Sequence, residues 1–588
     1  MHLESDSAVF APKIRVGAVR ADDRPRAVLP ACGPLLLLAL LTAASPVRTE
    51  RGVVASAHPE ASAAGARILE RGGNALDALV ATAYALSVVE PFSAGVGGGG
   101  FLLYRDATSG KTFAVDYREI APKRASRDMY LAEGKVVPDL SVDGPLSVAV
   151  PGMVVGLADA QAKLGKKKLS DVLEPAIDLA ANGFRVYPDF HDASAMRVDL
   201  LNKYPASAAI FLKAGAPHAV GELLVQRDLA RTLRSLAKSG PELFKRGWVA
   251  IAIAKEMKKR GGVLGLDDLE SYAPRWREPL VGSYRGRTLL FMPPPSSGGL
   301  AILQILGMLE HDRKMRGRTD RPDDVDDLHF LLEAMRRAYA DRSVYLGDPA
   351  FTKIPIERLL APDYLLERYK TIDPKKATPS ASIGAGQVAP REPKHTTHIT
   401  VVDADGNVAV ATQTVNYVFG SGIVVPGTGV LLNDEMDDFS AAPGVPNSYG
   451  LVGGDANAIA PGKVPLSSMT PTIMLEDGKV RLAVGAPGGS TIITTVLMAV
   501  VRVVDQGMGI QEAIGRGRFR NQWLPDRLFL EPDALPRHVL SELEQRGHVP
   551  TVTEYWGNAM AVEVLPDGTR VGVADWRGSG AAVAQRDP

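Results

Sequence analysis

Along roughly the first two-thirds of the chain apolar residues mostly recur three and four positions apart, and after residue 396 they mostly alternate with polar ones. The first pattern predicts helices. ASAAGARILERGG and NALDALVATAYALSVVEP read as two, separated by Gly72-Gly73-Asn74, with Pro91 ending the second. LSDVLEPAIDLAANG, LVQRDLARTLRSLAKSG, GWVAIAIAKEMKKRGG, GLAILQILGMLEHD and VDDLHFLLEAMRRAYADRS read as further amphipathic helices. GVVASA predicts a strand, and FLLYRD with TFAVDYRE a hairpin-like pair. The alternating region predicts strands at THITVVD, VAVATQTVN, GTGVLLND, TPTIMLED, KVRLAVGAP, TVTEYW, AMAVEVLP and RVGVAD, with helices near 491–505 and 536–546. TIITTVLMAVV has the length of a buried core helix, too short to span a bilayer. Residues 378–394 have the composition of a flexible linker. The layout predicts an α/β (α+β) chain in which two sheets are covered by helices.

The start of the chain changes this picture. Lys13, Arg15, Arg20, Arg24 and Arg26 precede the apolar run ACGPLLLLALLTAA, which is followed by Ser45-Pro46. A charged region, a short greasy core and small residues are the layout of a secretory signal. Residues 1–45 are therefore expected to direct the protein to the periplasm or outside the cell. Cys32, the sole cysteine, lies ahead of the greasy core, so removal of the signal would leave no thiol and no disulfide. Lys+Arg and Asp+Glu number 67 each. That balance argues against nucleic acid as a partner, since phosphate binding needs clustered cations.

The candidate chemistry centres on Thr396. Asp403-Ala404-Asp405-Gly406-Asn407 suits a three-residue hairpin loop. Counting back from it sets Thr396 opposite Thr414, with Asn416 diagonal on the same face, whereas a two-residue loop would set Val415 there. A threonine hydroxyl is a weak nucleophile unless a base adjoins it. A threonine that becomes the first residue supplies that base itself, as an α-amine titrating near ~7.7–8.0. On pattern alone, a threonine opening a strand is ordinary β-structure. GVGGGG could cradle a phosphate, but it lacks a following Gly-Lys-Ser/Thr and enters a strand. His58, His329 and His398 show no metal-ligand spacing, so no metal or cofactor is expected. The charges of EAMRRAYADRS are expected to solvate or cap one helix face, and MPPPSSGG to make a rigid turn before a helix.

HTTHITVVDADGNVAVATQTVNYVFGSGIVVPGTGVLLNDEMDDFS closely resembles the start of the small subunit of γ-glutamyltransferases, N-terminal-nucleophile hydrolases that cut themselves. The likeness continues through PGVPNSYGLVGGDANAIAPGKVPLSSMTPTI and LAVGAPGGSTIITT. It extends back to GVGGGGFLLYRD, DYREIAP, LSVAVPGMVVGL and MPPPSSGG, and so covers about residue 51 to the C-terminus. The resemblance implies a four-layer αββα sandwich with two mainly antiparallel sheets. It also implies a precursor cut between His395 and Thr396 into a helix-rich large subunit (46–395) and a strand-rich small one (396–588), paired as a heterodimer.

By the same resemblance Thr396 is the nucleophile, Thr414 and Asn416 lie near it, and Gly488 and Gly489 form the oxyanion hole. Arg118, Ser467 and Ser468 meet the glutamyl α-carboxylate, while Asp438 and Glu435 meet the α-ammonium. On the residues alone, Glu119 is expected simply to orient Arg118. The segment 443–450, with Tyr449, resembles a lid over the site. Glutathione and related γ-glutamyl compounds are the implied donors, and water, amino acids or dipeptides the acceptors. A cephalosporin or glutaryl acylase, or a non-maturing γ-glutamyl-binding protein, are the alternative readings. Arg118, Asp438 and the serine pair argue against the acylase, and intact Thr396, Thr414, Gly488 and Gly489 against the binding protein.

Overall fold

In the computed structural model, residues 46–137, 139–383, 396–441 and 454–587 are described. The signal region, His395 and the 443–450 segment with Tyr449 lie outside them.

Two seven-stranded sheets form the centre, and every pairing within them is antiparallel. One sheet runs in the order Arg275–Arg277, Thr112–Asp116, Gly99–Arg105, Val408–Thr414, Thr397–Val402, Val53–Ser56, Ala581–Ala584. The other runs Val47–Thr49, Arg570–Ala574, Met560–Val564, Lys479–Gly485, Thr472–Glu476, Arg287–Phe291, Leu280–Tyr284. The strand-poor reading of the first segment needs correction: residues before 396 supply four strands to the first sheet and three to the second. The hairpin Leu280–Tyr284/Arg287–Phe291 was not anticipated, because LVGSY alternates only weakly. GTGVLLND and TVTEYW yield only the short strands Val430–Leu431 and Pro550–Val552.

Period-two alternation assigns the strands' faces. On Val408–Thr414, Val408 and Val410 join the apolar layer shared with the second sheet, while Ala409 and Ala411 turn to the helices outside. Both faces of the Thr397–Val402 strand are buried as well. Helices Pro59–Glu70 and Ala75–Val89 cover the first sheet, and Gly298–Arg316, Val325–Tyr345 and Thr491–Val504 cover the second, completing the αββα layering. Ala75–Val89 is buried on every side, as a helix apolar all round must be. Its start is fixed by a reciprocal Asn74–Asp77 capping box. Thr491–Val504 is the buried core helix its composition predicts, and among the described residues no helix is long and apolar enough to cross a membrane.

The linker reading also narrows. Residues 378–383 are tied down: Arg336 donates to the Thr378 carbonyl at 2.7 Å, and Trp523 Nε1 to the Ser380 carbonyl at 2.9 Å. Residues 384–394 lie outside the described ones.

Candidate active site

The hairpin sets the register. Asp403 N–H donates to the Asn407 carbonyl at 3.0 Å, and Gly406 sits at φ 86° in the loop between them. Val402 faces Val408 and Thr397 faces Gln413, so the next step back brings Thr396 opposite Thr414. This is the three-residue-loop register. Thr414 pairs on its other side with Gly99. The glycine run is therefore a packing device: a Cβ at Gly98 would stand 2.0 Å from the Thr414 carbonyl oxygen. The strand that GVGGGG enters explains its glycines without any phosphate.

Thr396 is 6 % exposed and lies at the junction of two recesses. The narrower is walled by Arg118, Thr396, Thr414, Asn416, Glu435, Asp438, Ser467, Ser468 and Gly489. The wider, about 360 Å³, holds Gly488 on its wall together with Glu90, Tyr417, Tyr555 and Trp556. Residues from Glu90 to Trp556 thus converge on one hydroxyl. Gly488 and Gly489, at φ 124° and 55°, form the turn ahead of helix Thr491–Val504. Their amides stand at the positive end of that helix, where negative charge is favoured. Asn416, at φ 77°, donates its N–H to Thr414 Oγ1 at 2.7 Å and its Nδ2 to the Asp434 carbonyl at 3.1 Å.

Arg118 follows strand Thr112–Asp116 and is wholly buried. Its two Nη groups donate to Glu435 and Asp438, and Glu119 Oε2 lies 3.8 Å from it. The guanidinium is therefore engaged by two of the buried acids around it. Burial works against its charge, but Glu435, Asp438 and Glu119 outweigh burial and raise its proton affinity. Burial pushes the three acids up despite Arg118: Asp438 above its usual range, Glu435 well above, and Glu119 to about 7. One cation among three buried acids keeps protons on some of them near neutrality. Asp438 is further held by Asn457, whose Nδ2 donates to its carbonyl at 2.7 Å.

Three residues here escaped the sequence reading. Glu90 ends helix Ala75–Val89 and accepts the Thr397 hydroxyl, yet EP reads only as a helix stop. Asn433 fastens Gly97, Ala149 and Glu435 together from a loop without a motif. Arg342 donates to Ser468 Oγ at 3.2 Å. The expected solvated face of EAMRRAYADRS is thereby corrected, since Arg336, Arg337 and Arg342 are all buried. Apolar Ala338 and Leu346, one turn either side of Arg342, were the available signal. The histidines are structural: His58 Nδ1 caps a helix, His329 meets His548 at 2.8 Å, and His398 sits between Thr412 and Thr400. MPPPSSGG makes the expected turn into helix Gly298–Arg316, and Ser296 pairs with Ser467 beside the site.

A family model described as gamma-glutamyltranspeptidase matches residues 61–585. A glutathione hydrolase proenzyme of Escherichia coli is 46 % identical over 535 residues, covering 90 % of this chain and 91 % of the relative. Among solved structures, a cephalosporin acylase from Bacillus halodurans superposes with a TM-score of 0.81 at 29 % identity, over 92 % of this chain and 97 % of that one. The gamma-glutamyltranspeptidase of Helicobacter pylori gives 0.53 at 42 % identity, over 56 % of this chain and 94 % of that chain.

Proposed function

The chain belongs to the gamma-glutamyltranspeptidase family, and from that premise we propose that it is a self-processing γ-glutamyltransferase and glutathione hydrolase whose nucleophile is Thr396. The observation that carries the reading is the meeting of Thr396 with Arg118, Asp438, Ser467, Ser468 and Gly489 around one recess.

Maturation starts when Thr396 Oγ attacks the carbonyl of His395. The acyl group moves from nitrogen to oxygen, and water then hydrolyses the ester. The products are a His395 carboxylate and a free Thr396 α-amine. That amine is the base the hydroxyl lacked. In turnover, Oγ attacks the γ-carbonyl of the donor while the amine takes its proton, and the Gly488 and Gly489 amides receive the developing oxyanion. Collapse returns the proton to the departing amine and leaves a γ-glutamyl ester on Thr396. Water or an acceptor amine attacks that ester and restores the hydroxyl. Arg118 with the serine pair would hold the α-carboxylate bidentately, and Glu435 and Asp438 the α-ammonium. That pairing favours an α-amino acid head group over a glutaryl chain. The leader at residues 1–45 supports export to the periplasm or beyond, and Tyr449 is assigned to the lid by resemblance alone.

Purified wild type and Thr396→Ala, run on one gel, test the proposal. Wild type should give two fragments, the smaller beginning at Thr396, and the variant one uncut chain. A small fragment with any other N-terminus overturns it. Assay of glutathione against glutaryl-cephalosporin separates it from the acylase reading.

A further inference from the structure

Helix Val325–Tyr345 carries three buried arginines, and they are not equivalent. Arg337 pairs with Glu333 at 2.8 Å, and Arg336 lies 3.3 Å from the same carboxylate and donates to Asp526. Arg342 forms no ion pair among the described residues; the acid that acts on it, Asp438, is held by Arg118. Its donors go to hydroxyls: Nε to Ser297 Oγ at 2.8 Å and Nη2 to Ser468 Oγ at 3.2 Å. Ser297 in turn grips Ser467, whose carbonyl accepts its N–H at 2.8 Å and its hydroxyl at 2.7 Å. Burial costs the guanidinium enough to lower its proton affinity to about 10, so it stays charged at neutral pH.

The direction of these bonds matters. A serine hydroxyl has one proton to give. Ser468 Oγ accepts from Arg342 and Ser467 Oγ accepts from the Met469 N–H at 3.1 Å. Both hydroxyls are therefore left as donors toward the recess they line with Arg118. A cation behind a hydroxyl polarises it and strengthens its bond to an anion. A buried positive charge with no acid of its own also favours an anion in front of it.

We infer that Arg342 is a positioning residue of the carboxylate subsite, acting through Ser468 directly and through Ser297 on Ser467 to aim two hydroxyl protons at the donor's α-carboxylate. The inference rests on the γ-glutamyl reading above and assigns Arg342 no contact with substrate.

The test uses mature enzyme and two competitive inhibitors: L-glutamate, and 4-aminobutyrate, which keeps the amine and the distal carboxylate but lacks the α-carboxylate. Arg342→Met should weaken glutamate inhibition about ten- to hundredfold while changing 4-aminobutyrate less than about threefold. Ser468→Ala should show the same selectivity, and the double variant should lose little beyond either single one. Arg342→Lys, which keeps the charge, should fall between wild type and Met and provides the reading should Arg342→Met fail to mature. Equal losses for both inhibitors, or full additivity with Ser468→Ala, overturn the inference. Failure of the wild type to turn over γ-glutamyl donors, or to prefer glutamate, overturns instead the reading on which it rests.

Discussion

The hydroxyl of Thr397 donates to the carboxyl of Glu90 at 2.7 Å, so the residue after Thr396 hangs from a buried acid at the end of helix Ala75–Val89. Burial raises the proton affinity of Glu90 to about 8; the hydroxyls of Thr397 and Ser93 pull it down, and Asp189 pushes it up again. Asp192, Glu554 and Arg577 line the wider recess with it. The folded protein thus keeps a proton that the unfolded chain gives up near 4.5. Stability from this group is complete below that value and is lost as pH rises through about 8. In the uncut Thr396→Ala background, Glu90→Gln should flatten the decline of Tm across this range, read by calorimetry. An unchanged slope would place the proton elsewhere.

Gly98 offers a sharper test of how the strands hold Thr414. Its missing Cβ would lie 2.0 Å from a backbone oxygen, which no rotamer change can relieve, while at Gly95 the nearest atom is Val415 Cγ1 at 3.9 Å. Gly98→Ala should therefore displace Thr414 from Thr396 and leave the precursor largely uncut. Gly95→Ala should process like wild type. The fragment ratio on a gel, followed over hours, reads both.

Much of this site was legible because the chemistry sits where local rules are strong. The DADGN loop suits a three-residue turn, and the strands adopt the register that this turn implies, with Thr396 opposite Thr414. Period-two and three-to-four spacing located the central strands and helices. What was not legible depends on distant partners. Near Arg342 only the apolar Ala338 and Leu346 point to an inward charge, and a charged residue on a helix is usually solvated. TVTEYW alternates like a strand, but Tyr555 and Trp556 leave the sheet to wall the recess beside Thr396. Of the first segment's sheet strands, Val53–Ser56, Gly99–Arg105 and Thr112–Asp116 show in the pattern, whereas Val47–Thr49, Arg275–Arg277 and the hairpin Leu280–Tyr284/Arg287–Phe291 do not.

The proposed carboxylate clamp gives Arg118 a part in specificity as well as in stability, and its removal should separate the two by pH. Without it, Glu119, Glu435 and Asp438 remain buried around a missing cation. Stripping one partner from a buried ionic cluster costs about 3–5 kcal/mol when the remaining charges persist. These acids already hold protons more tightly than usual, so acidification should neutralise them and reduce the penalty. Arg118→Ala should accordingly lose more Tm near pH 8 than near pH 5. Self-cleavage should survive at the lower pH, since attack on His395 does not use the carboxylate clamp. Turnover of γ-glutamyl donors should fall by at least one to two decades in kcat/KM, the loss expected from one charged contact. A variant with full turnover would refute the clamp. One whose stability loss is the same at both pH values would show that the acids release no strain on protonation, and that the three do not act as a group around Arg118.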